Sequence, residues 1–270
     1  MDIIVVTGAS SGLGREFALQ IAKKEKVDEI WVIARRLDKL QDLADEISVR
    51  VRPIELDLTD FDAIQKYADL LAELKPNVKI LANCAGFGKF EHYENIKTDQ
   101  HLNMVDLNCS APMVMVDYSL PYMQSGSKIM NIASCAAFQP IPYINVYAAT
   151  KAFALSYSRA LNSELKYRGI HVLAVCPYWV KTEFFGRAVE KNDNPVVINY
   201  DVLYNPVDVI KLAIKDLYSN KDMSVYGLKN RLQRIATKLL PHKFVMKVWL
   251  NRQKLDGTKE KRGNKINEFC

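Results

Sequence analysis

Near its start the chain reads Ile3-Ile4-Val5-Val6 and continues directly into Thr7-Gly8-Ala9-Ser10-Ser11-Gly12-Leu13-Gly14. The β-branched run predicts a buried strand, and a helix is predicted to begin close behind the last glycine. Glycines between a strand and a helix let backbone N–H groups approach a pyrophosphate at the positive end of the helix. Such glycines can also serve loop geometry alone, because loops before helices often need a positive φ. Their position favours nucleotide binding, with Gly8, Ser10, Ser11, Gly12, Leu13 and Gly14 as candidate contacts.

Short β-branched runs alternate with helix-sized intervals along most of the chain. Because each crossover places a helix over the sheet, this alternation predicts a mostly parallel sheet that is buried on both faces. The predicted class is a doubly wound, Rossmann-like α/β fold with helices on both faces and a C-terminal helical extension. The predicted strands are Ile3–Thr7, Glu29–Ala34, Val51–Leu56, Lys79–Asn83, Lys128–Ala133 and Ile170–Cys176.

Composition narrows the class of protein. The 270 residues are 49% hydrophobic and 25% charged, a balance that excludes disordered and collagen-like chains.

We expect a dinucleotide-binding and catalytic domain at 1–226 and an amphipathic extension with a polar tail at 227–270. The formal charge is +6, but the part from Lys221 onward carries 13 Lys and Arg against 4 Asp and Glu. Basic character therefore belongs to the C-terminal end.

The cysteines and the lengths of the apolar runs indicate the cellular compartment of the protein. The five cysteines include no CxxC pair, and an odd number suits free thiols in a reducing cytoplasm better than a disulfide framework. We find no secretory signal pattern and no run of eighteen apolar residues, so we expect a cytoplasmic protein without a spanning helix. The four histidines show no ligand spacing, and we predict no metal site.

The residues after the second strand concern cofactor choice. Arg35 and Arg36 stand where a fold selective for NAD would place an acid to hold the ribose 2′-hydroxyl. Two guanidinium groups could instead clamp a 2′-phosphate, which favours NADP(H). The alternative is a solvated basic pair at the start of a surface helix. Further candidate cofactor contacts follow the third and fourth strands, namely Asp57 and Leu58 near the adenine and Asn83, Ala85 and Gly86 along the cofactor floor.

A tyrosine and a lysine four residues apart are the candidate acid–base pair. Tyr147 and Lys151 would lie on the same face of one helix, and an ammonium group nearby would stabilise the phenolate and lower the tyrosine pKa. Such a spacing is also common on solvated helix faces. Ser134, at the end of the fifth predicted strand, strengthens the functional interpretation because its hydroxyl could hold a substrate oxygen beside the phenol.

Taken together, these motifs resemble the short-chain dehydrogenase/reductase family. The resemblance covers residues 1 to about 220, through TGASSGLG at 7–14, NCAG at 83–86, Asn108, Ser134, YxxxK at 147–151 and the segment Cys176-Pro177-Tyr178-Trp179-Val180-Lys181-Thr182. It implies hydride transfer between NADP(H) and a small-molecule carbonyl or secondary alcohol. Cys84 departs from the pattern, because the family more often has a second asparagine there.

The resemblance also implies individual roles for these residues. Tyr147 would protonate the carbonyl oxygen, and Ser134 would orient and polarise it. Lys151 would hold the nicotinamide ribose and lower the tyrosine pKa, while Asn108 would anchor a water that resupplies protons. The nicotinamide end of the cofactor would contact Pro177, Val180 and Thr182.

Apolar residues close in sequence to the candidate catalytic residues indicate which class of substrate the protein would bind. Phe184 and Phe185, together with Phe138, Pro140, Ile141, Pro142 and Tyr143, suggest an apolar pocket and a bulky or acyl-type carbonyl compound, although they could equally be core. Two other functions stay open at this point, a cofactor sensor without turnover and a peripheral membrane reductase of lipid-like ketones.

The C-terminal extension predicts two amphipathic helices between Gly227 and Leu255, broken at Pro241, and then a fraying tail at Asp256–Cys270. Its cations, Phe244 and Trp249 allow a place in a membrane interface. We expect instead that the extension packs on its own domain, where it would cover the substrate mouth or a neighbouring subunit of a homo-oligomer, because most amphipathic helices bury their stripe within the protein. Nucleic acid is not expected as a partner, since no reader motif is present.

Overall fold

Seven parallel strands form one sheet in the order β3-β2-β1-β4-β5-β6-β7 in a computed structural model that describes residues 1–189 and 195–255. The order reverses between β1 and β4, which is the switch point where open α/β sheets bind ligands at their carboxyl ends. The predicted doubly wound class and six predicted strands are confirmed. The strands are β1 Asp2–Thr7, β2 Glu29–Ala34, β3 Arg50–Glu55, β4 Asn77–Asn83, β5 Lys128–Ile132, β6 His171–Val175 and β7 Met223–Ser224.

Ten α-helices connect and cover the strands within the described ranges. A π-helical turn at Asp106–Ser110 joins α4 to α5, and α6 is the longest helix. The helices are α1 Gly12–Ala22, α2 Leu37–Glu46, α3 Phe61–Leu74, α4 Thr98–Val105, α5 Ala111–Ser119, α6 Asn145–Glu164, α7 Phe184–Val189, α8 Pro206–Tyr218, α9 Leu228–Leu239 and α10 His242–Arg252.

Both faces of the sheet are buried, as the continuous apolar runs of the strands require. Along β1, Ile4 and Val6 point into one core with α1, α2 and α8, while Ile3 and Val5 point into another with α3 and α5. The alternation follows from the two-residue period of a strand. With about 25 cal/mol gained per Å² of apolar surface removed from water, these two layers supply the main drive for folding.

The loops after β1 and β4 are held in close contact. Gly8 has φ +65°, and a Cβ there would lie 2.7 Å from the backbone of Ala85. The Thr7 hydroxyl accepts hydrogen bonds from the backbone N–H groups of Cys84 (3.0 Å) and Ala85 (3.2 Å). The glycine-rich loop therefore lies against the NCAG loop because glycine removes the steric obstacle and a buried threonine supplies the acceptor.

The C-terminal helices pack on the catalytic domain, but not through the expected face. The side-chain amide of Asn230 on α9 donates to the Cys176 carbonyl at 2.8 Å, and the Trp249 indole on α10 donates to the Pro142 carbonyl at 3.1 Å. Asn230 and Thr237 are the buried residues of α9, whereas its leucines point outward. No helix of the described segments is both long and apolar enough to cross a bilayer. The predicted tail at Asp256–Cys270 lies outside the described residues.

Candidate active site

A large cavity of about 840 Å³ runs along the carboxyl ends of the strands, from the glycine-rich loop to α9 and α10. It brings together most of the residues that the sequence singled out. The predicted residues that line it are Gly8, Ser10, Ser11, Gly12, Leu13, Arg35, Arg36, Asp57, Leu58, Ala85, Gly86, Ser134, Tyr147, Lys151, Pro177, Val180 and Thr182.

Gly14, Asn83 and Asn108 do not line the cavity, and the contacts of each are structural. A Cβ on Gly14 would lie 2.5 Å from the Gly8 carbonyl oxygen, so this glycine allows helix α1 to start tightly against the loop. The Asn83 side chain donates to the Asn131 side-chain oxygen at 2.9 Å and thereby joins β4 to β5. Direct cofactor contacts by Gly14, Asn83 and Asn108 stay predictions, as does the role of Asn108 in anchoring a water.

Asn108 holds the loop after β4 against helix α6. Its side-chain oxygen accepts from the Phe87 N–H (3.1 Å), and its amide donates to the Phe87 carbonyl (2.9 Å) and to the Thr150 hydroxyl (3.0 Å). The residue lies in the π-helical turn, a feature that often occurs at functional sites. A Cβ on Gly86 would meet the Asn108 oxygen at 2.8 Å and Lys151 Nζ at 3.3 Å, which places these three residues side by side.

Two arginines follow β2 at one end of the cavity, and each already has an anionic neighbour. Arg36 pairs with Glu183 at 2.9 Å and donates to the Ser10 hydroxyl at 3.2 Å. Arg35 lies 3.5 Å from the Asp57 carboxylate. Burial alone would raise the pKa of Asp57, but hydrogen bonds from Thr59 and the charge of Arg35 outweigh it and hold that pKa below its usual value. This end of the cavity therefore offers guanidinium donors that a phosphate group can share.

Lys151 lies deep in the site on α6. It is buried, its Nζ donates to the Ile132 carbonyl at 2.8 Å, and the same Nζ lies 5.7 Å from the centroid of the Tyr147 ring. Burial disfavours the charged form and lowers the pKa of Lys151 to about 8. A lysine with such a pKa changes its charge within the range in which enzymes are commonly assayed.

Tyr147 shows the opposite shift to the one expected from the sequence. Its ring packs between Phe90 (6.0 Å between centroids) and Phe184 (5.5 Å), and this burial raises the pKa of the phenol. A hydrogen bond with the Ser134 side chain acts in the lowering direction and does not outweigh burial. The expected lowering by Lys151 is wrong for this structure, because desolvation of the phenol dominates and the ammonium group is directed to Ile132. At neutral pH the phenol therefore keeps its proton.

Ser134 lies two residues beyond the end of β5 and caps a short 3₁₀ turn at Cys135–Phe138. Its hydroxyl accepts a hydrogen bond from the Ala136 N–H at 3.1 Å, which fixes the side chain toward the cavity beside Tyr147. The neighbouring Cys135 is buried, and burial raises the pKa of its thiol to about 12. Cys84, the departure from the family pattern, has its thiol pKa raised to about 12 for the same reason. Both thiols are thus poor nucleophiles.

An apolar and aromatic wall lines much of the cavity, and the sequence identified only part of it. The same lining also contains charged side chains, among them Arg187, Asp201, Lys229 and Arg252. Ile141, Phe184 and Phe185 line the cavity as expected, whereas Phe138, Pro140, Pro142 and Tyr143 do not; Phe138 packs beneath Ala133 and Ala154 instead. The apolar lining residues that the sequence did not assign to this pocket include Trp179, Leu232, Ala236, Leu240, Phe244, Val245, Val248 and Trp249. Trp179 belongs to the segment 176–182, and the others come from α9, α10 and the junction between them. The sequence allowed this extension to cover the substrate mouth, but no local pattern specifies which of its side chains face the cavity.

Comparison with known proteins agrees with this geometry. A family model described as short chain dehydrogenase matches residues 2–193. The very-long-chain 3-oxoacyl-CoA reductase of Bos taurus is 34% identical over 87% of this chain and 74% of its own. Sulfoacetaldehyde reductase 2 of Chromohalobacter salexigens is 33% identical over 68% of this chain and 74% of its own. The structure of a short-chain dehydrogenase from Sphingobium yanoikuyae in complex with NADPH superimposes with a TM-score of 0.73 at 24% identity, covering 98% of this chain and 99% of that one.

Proposed function

The chain belongs to the short-chain dehydrogenase family of oxidoreductases, and we propose that it is an NADP(H)-dependent reductase of bulky apolar or acyl-type ketones. One observation carries the proposal. A phenol, a serine hydroxyl and a buried lysine meet at the middle of one cavity that has an arginine pair at one end and an aromatic wall at the other. This arrangement suits a reactant with an anionic nucleotide on one side and an apolar body on the other.

Tyr147 would act as the general acid. Because burial raises its pKa, the phenol holds a proton at neutral pH and can give it from Oη to a carbonyl oxygen, which suits the reducing direction. Ser134 would donate a hydrogen bond to the same oxygen and so hold it beside Oη. When bound, NADPH supplies the hydride that such a carbonyl carbon receives. Lys151 would donate from Nζ to the ribose, and Asn108 would keep the loop and α6 in register through Phe87 and Thr150.

The residues around the cavity fit this cofactor. Gly12 has φ +58°, which strains other residues, and a Cβ there would lie a tight 3.3 Å from the Thr182 side chain, so a glycine suits this position between two loops that would face a pyrophosphate. Ser10, Ser11 and Gly12 surround the N-terminus of α1, whose dipole favours anions. Arg35 and Arg36 support NADP(H) over NAD(H), because each can add a charge-assisted hydrogen bond to a 2′-phosphate.

The cavity lining supports the substrate class better than the named relatives do. One relative is named for a long acyl thioester and the other for a small sulfonated aldehyde, and the two are almost equally similar to this chain. A small anionic substrate would need a cation close to Tyr147, whereas the Tyr147 ring packs against Phe90 and Phe184. Two cations that line the same cavity, Lys229 and Arg252, form ion pairs with Asp201. An apolar carbonyl compound would instead bury its body against the apolar side chains of the cavity.

Cytoplasmic location and homo-oligomer formation also stay part of the proposal. The cysteines without a CxxC pair support the first, and the family resemblance supports the second.

The test is turnover by the purified full chain. We expect oxidation of NADPH with aliphatic and aromatic ketones, faster with larger apolar bodies, and little oxidation with sulfoacetaldehyde. The Arg35→Asp variant should bind NADPH at least about tenfold more weakly while its NADH affinity changes little, since a repulsive charge replaces one charge-assisted contact. NADPH binding without turnover on any carbonyl would contradict the reductase and favour a cofactor sensor. Equal affinity of the parent protein for both cofactors would contradict the NADP(H) assignment.

A further inference from the structure

Helix α9 presents its apolar stripe to the outside of the molecule. Leu228, Leu232, Ile235 and Leu239 recur at spacings of three and four residues, which places them on one face of the helix. Their exposed fractions are 73%, 57%, 55% and 77%. Monomeric soluble proteins rarely leave a continuous row of large aliphatic side chains in water, and such a row usually marks a binding surface.

The exposure follows from how α9 is attached. Its opposite face carries Asn230 and Thr237, which are buried against the domain, and Asn230 donates to the carbonyl of Cys176 at the end of β6. The helix is thus packed through its polar side. The domain itself therefore does not cover the stripe.

Residues of the α9–α10 junction and of α10 continue the apolar surface. Leu240, Phe244 and Val248 are exposed by 41%, 52% and 38%, and together with Leu232 they also line the mouth of the cavity. We call the seven exposed side chains the apolar rim; they are Leu228, Leu232, Ile235, Leu239, Leu240, Phe244 and Val248. The cavity that contains Tyr147 therefore opens among residues of this rim.

The charge around the rim is of one sign. Residues 228–255 contain eight lysines and arginines and no aspartate or glutamate. Within the part of the chain that the structure describes, Lys229 and Arg252 form ion pairs from this segment, both with Asp201. The other six cations lie in the same segment as the exposed leucines, and Lys238, Lys243 and Lys247 among them are exposed. Long basic side chains can lay their aliphatic stems along an apolar surface and keep their charges at its edge.

We propose that the apolar rim docks on the surface of an anionic lipid bilayer, with the leucines in the acyl boundary and the cations among the headgroups. Leucine stripes flanked by Lys and Arg are suited to this position. A second copy of the chain fits less well, because a symmetric contact would place cations against cations with no acid between them. A nucleic acid would meet the cations but leave the leucines uncovered.

Docking would also place the cavity mouth against the acyl region, so that an apolar carbonyl compound could enter without crossing water. This entry route rests on the proposed reductase function, whereas the docking itself does not. The two are therefore tested by separate measurements, vesicle binding for the rim and turnover of a water-soluble ketone for the active site.

The experiment is co-sedimentation of the full chain with phosphatidylcholine vesicles, with and without phosphatidylglycerol. We expect binding that requires the anionic lipid and weakens at high salt, because salt screens the cations. Neutralising Lys238 and Lys243 to Gln should weaken it roughly fivefold for each charge. Leu232→Ser should weaken it at least about tenfold, since one leucine leaves the acyl boundary.

A matched control separates docking from damage. Leu102 on α4 is 59% exposed, so Leu102→Ser removes a leucine as accessible as Leu232 from a different surface and should leave vesicle binding unchanged. Melting temperatures of all variants should stay near that of the parent, because the altered side chains are exposed. Three results would overturn the proposal: no binding to anionic vesicles, self-association that Leu232→Ser abolishes in the absence of vesicle binding, or salt-sensitive DNA binding that Leu232→Ser leaves intact.

Discussion

The ion pair between Arg36 and Glu183 should compete with the cofactor. The two side chains meet at 2.9 Å across the nucleotide end of the cavity, where Arg36 also contacts Ser10. A 2′-phosphate that binds Arg36 must share it with the Glu183 carboxylate or displace that carboxylate. Glu183→Gln keeps the size of the side chain and removes its charge, so it should strengthen NADPH binding.

The exposure of the pair sets the size of this effect. The two side chains are 45% and 62% exposed, and ion pairs in such surroundings contribute about 0.2–1 kcal/mol. Release of Arg36 should therefore lower the Kd for NADPH by up to about fivefold. The Kd for NADH should change less than twofold, because NADH has no 2′-phosphate for the released arginine. Salt should reduce the difference between variant and parent.

Fluorescence titration of both cofactors, at low and high salt, measures the effect. Glu46→Gln is the matched control, because it removes a comparable exposed pair with Arg15 on the neighbouring helix. It should leave both Kd values unchanged. Weaker NADPH binding by Glu183→Gln, or an equal gain for NADH, would refute the reasoning, since either result would mean that Glu183 does not hold Arg36 back from the 2′-phosphate.

Three further predictions concern catalysis and stability. Tyr147→Phe should lower kcat by roughly a hundredfold to ten-thousandfold with NADPH binding nearly intact, and full turnover by the purified variant would contradict the general-acid role. Because the pKa of Lys151 is lowered to about 8, its ammonium charge is present below that pH and lost above it. In the parent, kcat/KM should therefore fall above about pH 8. The Lys151→Arg variant should show no such fall, because the charge of an arginine persists. Asn230→Ala should cost about 1–3 kcal/mol in denaturant unfolding, since the Cys176 carbonyl loses its donor, and an unchanged midpoint would show that water replaces it.

The sequence identified the sheet and the nucleotide end well, because local patterns decide them. The runs that became β1 and β2 must be apolar on both faces, and the glycines are required where loops touch, as Gly8 does against Ala85. Two-residue β7 has no such pattern, since its pairing with β6 depends on tertiary packing. The direction of the Tyr147 pKa shift could not be predicted from the sequence either. The YxxxK spacing shows a cation nearby, but it does not show Phe90 and Phe184 enclosing the phenol.

The largest difference between the expectation from the sequence and the structure is the orientation of α9. The free energies of the two orientations indicate whether the exposed face of the helix is a binding surface. Amphipathicity alone predicts the leucines inward, and burying one leucine is worth about 1.5–3 kcal/mol. The Asn230 hydrogen bond contributes about 1–3 kcal/mol, even when the cost of an unsatisfied Cys176 carbonyl is included. Arg231 adds a hydrogen bond to the Val225 carbonyl, and Lys229 adds an ion pair worth up to about 1 kcal/mol. These few polar contacts offset only part of the free energy that burial of four aliphatic side chains would supply. A second surface that removes those side chains from water would supply the remaining free energy. The proposed lipid contact therefore has an energetic reason that is independent of its charge.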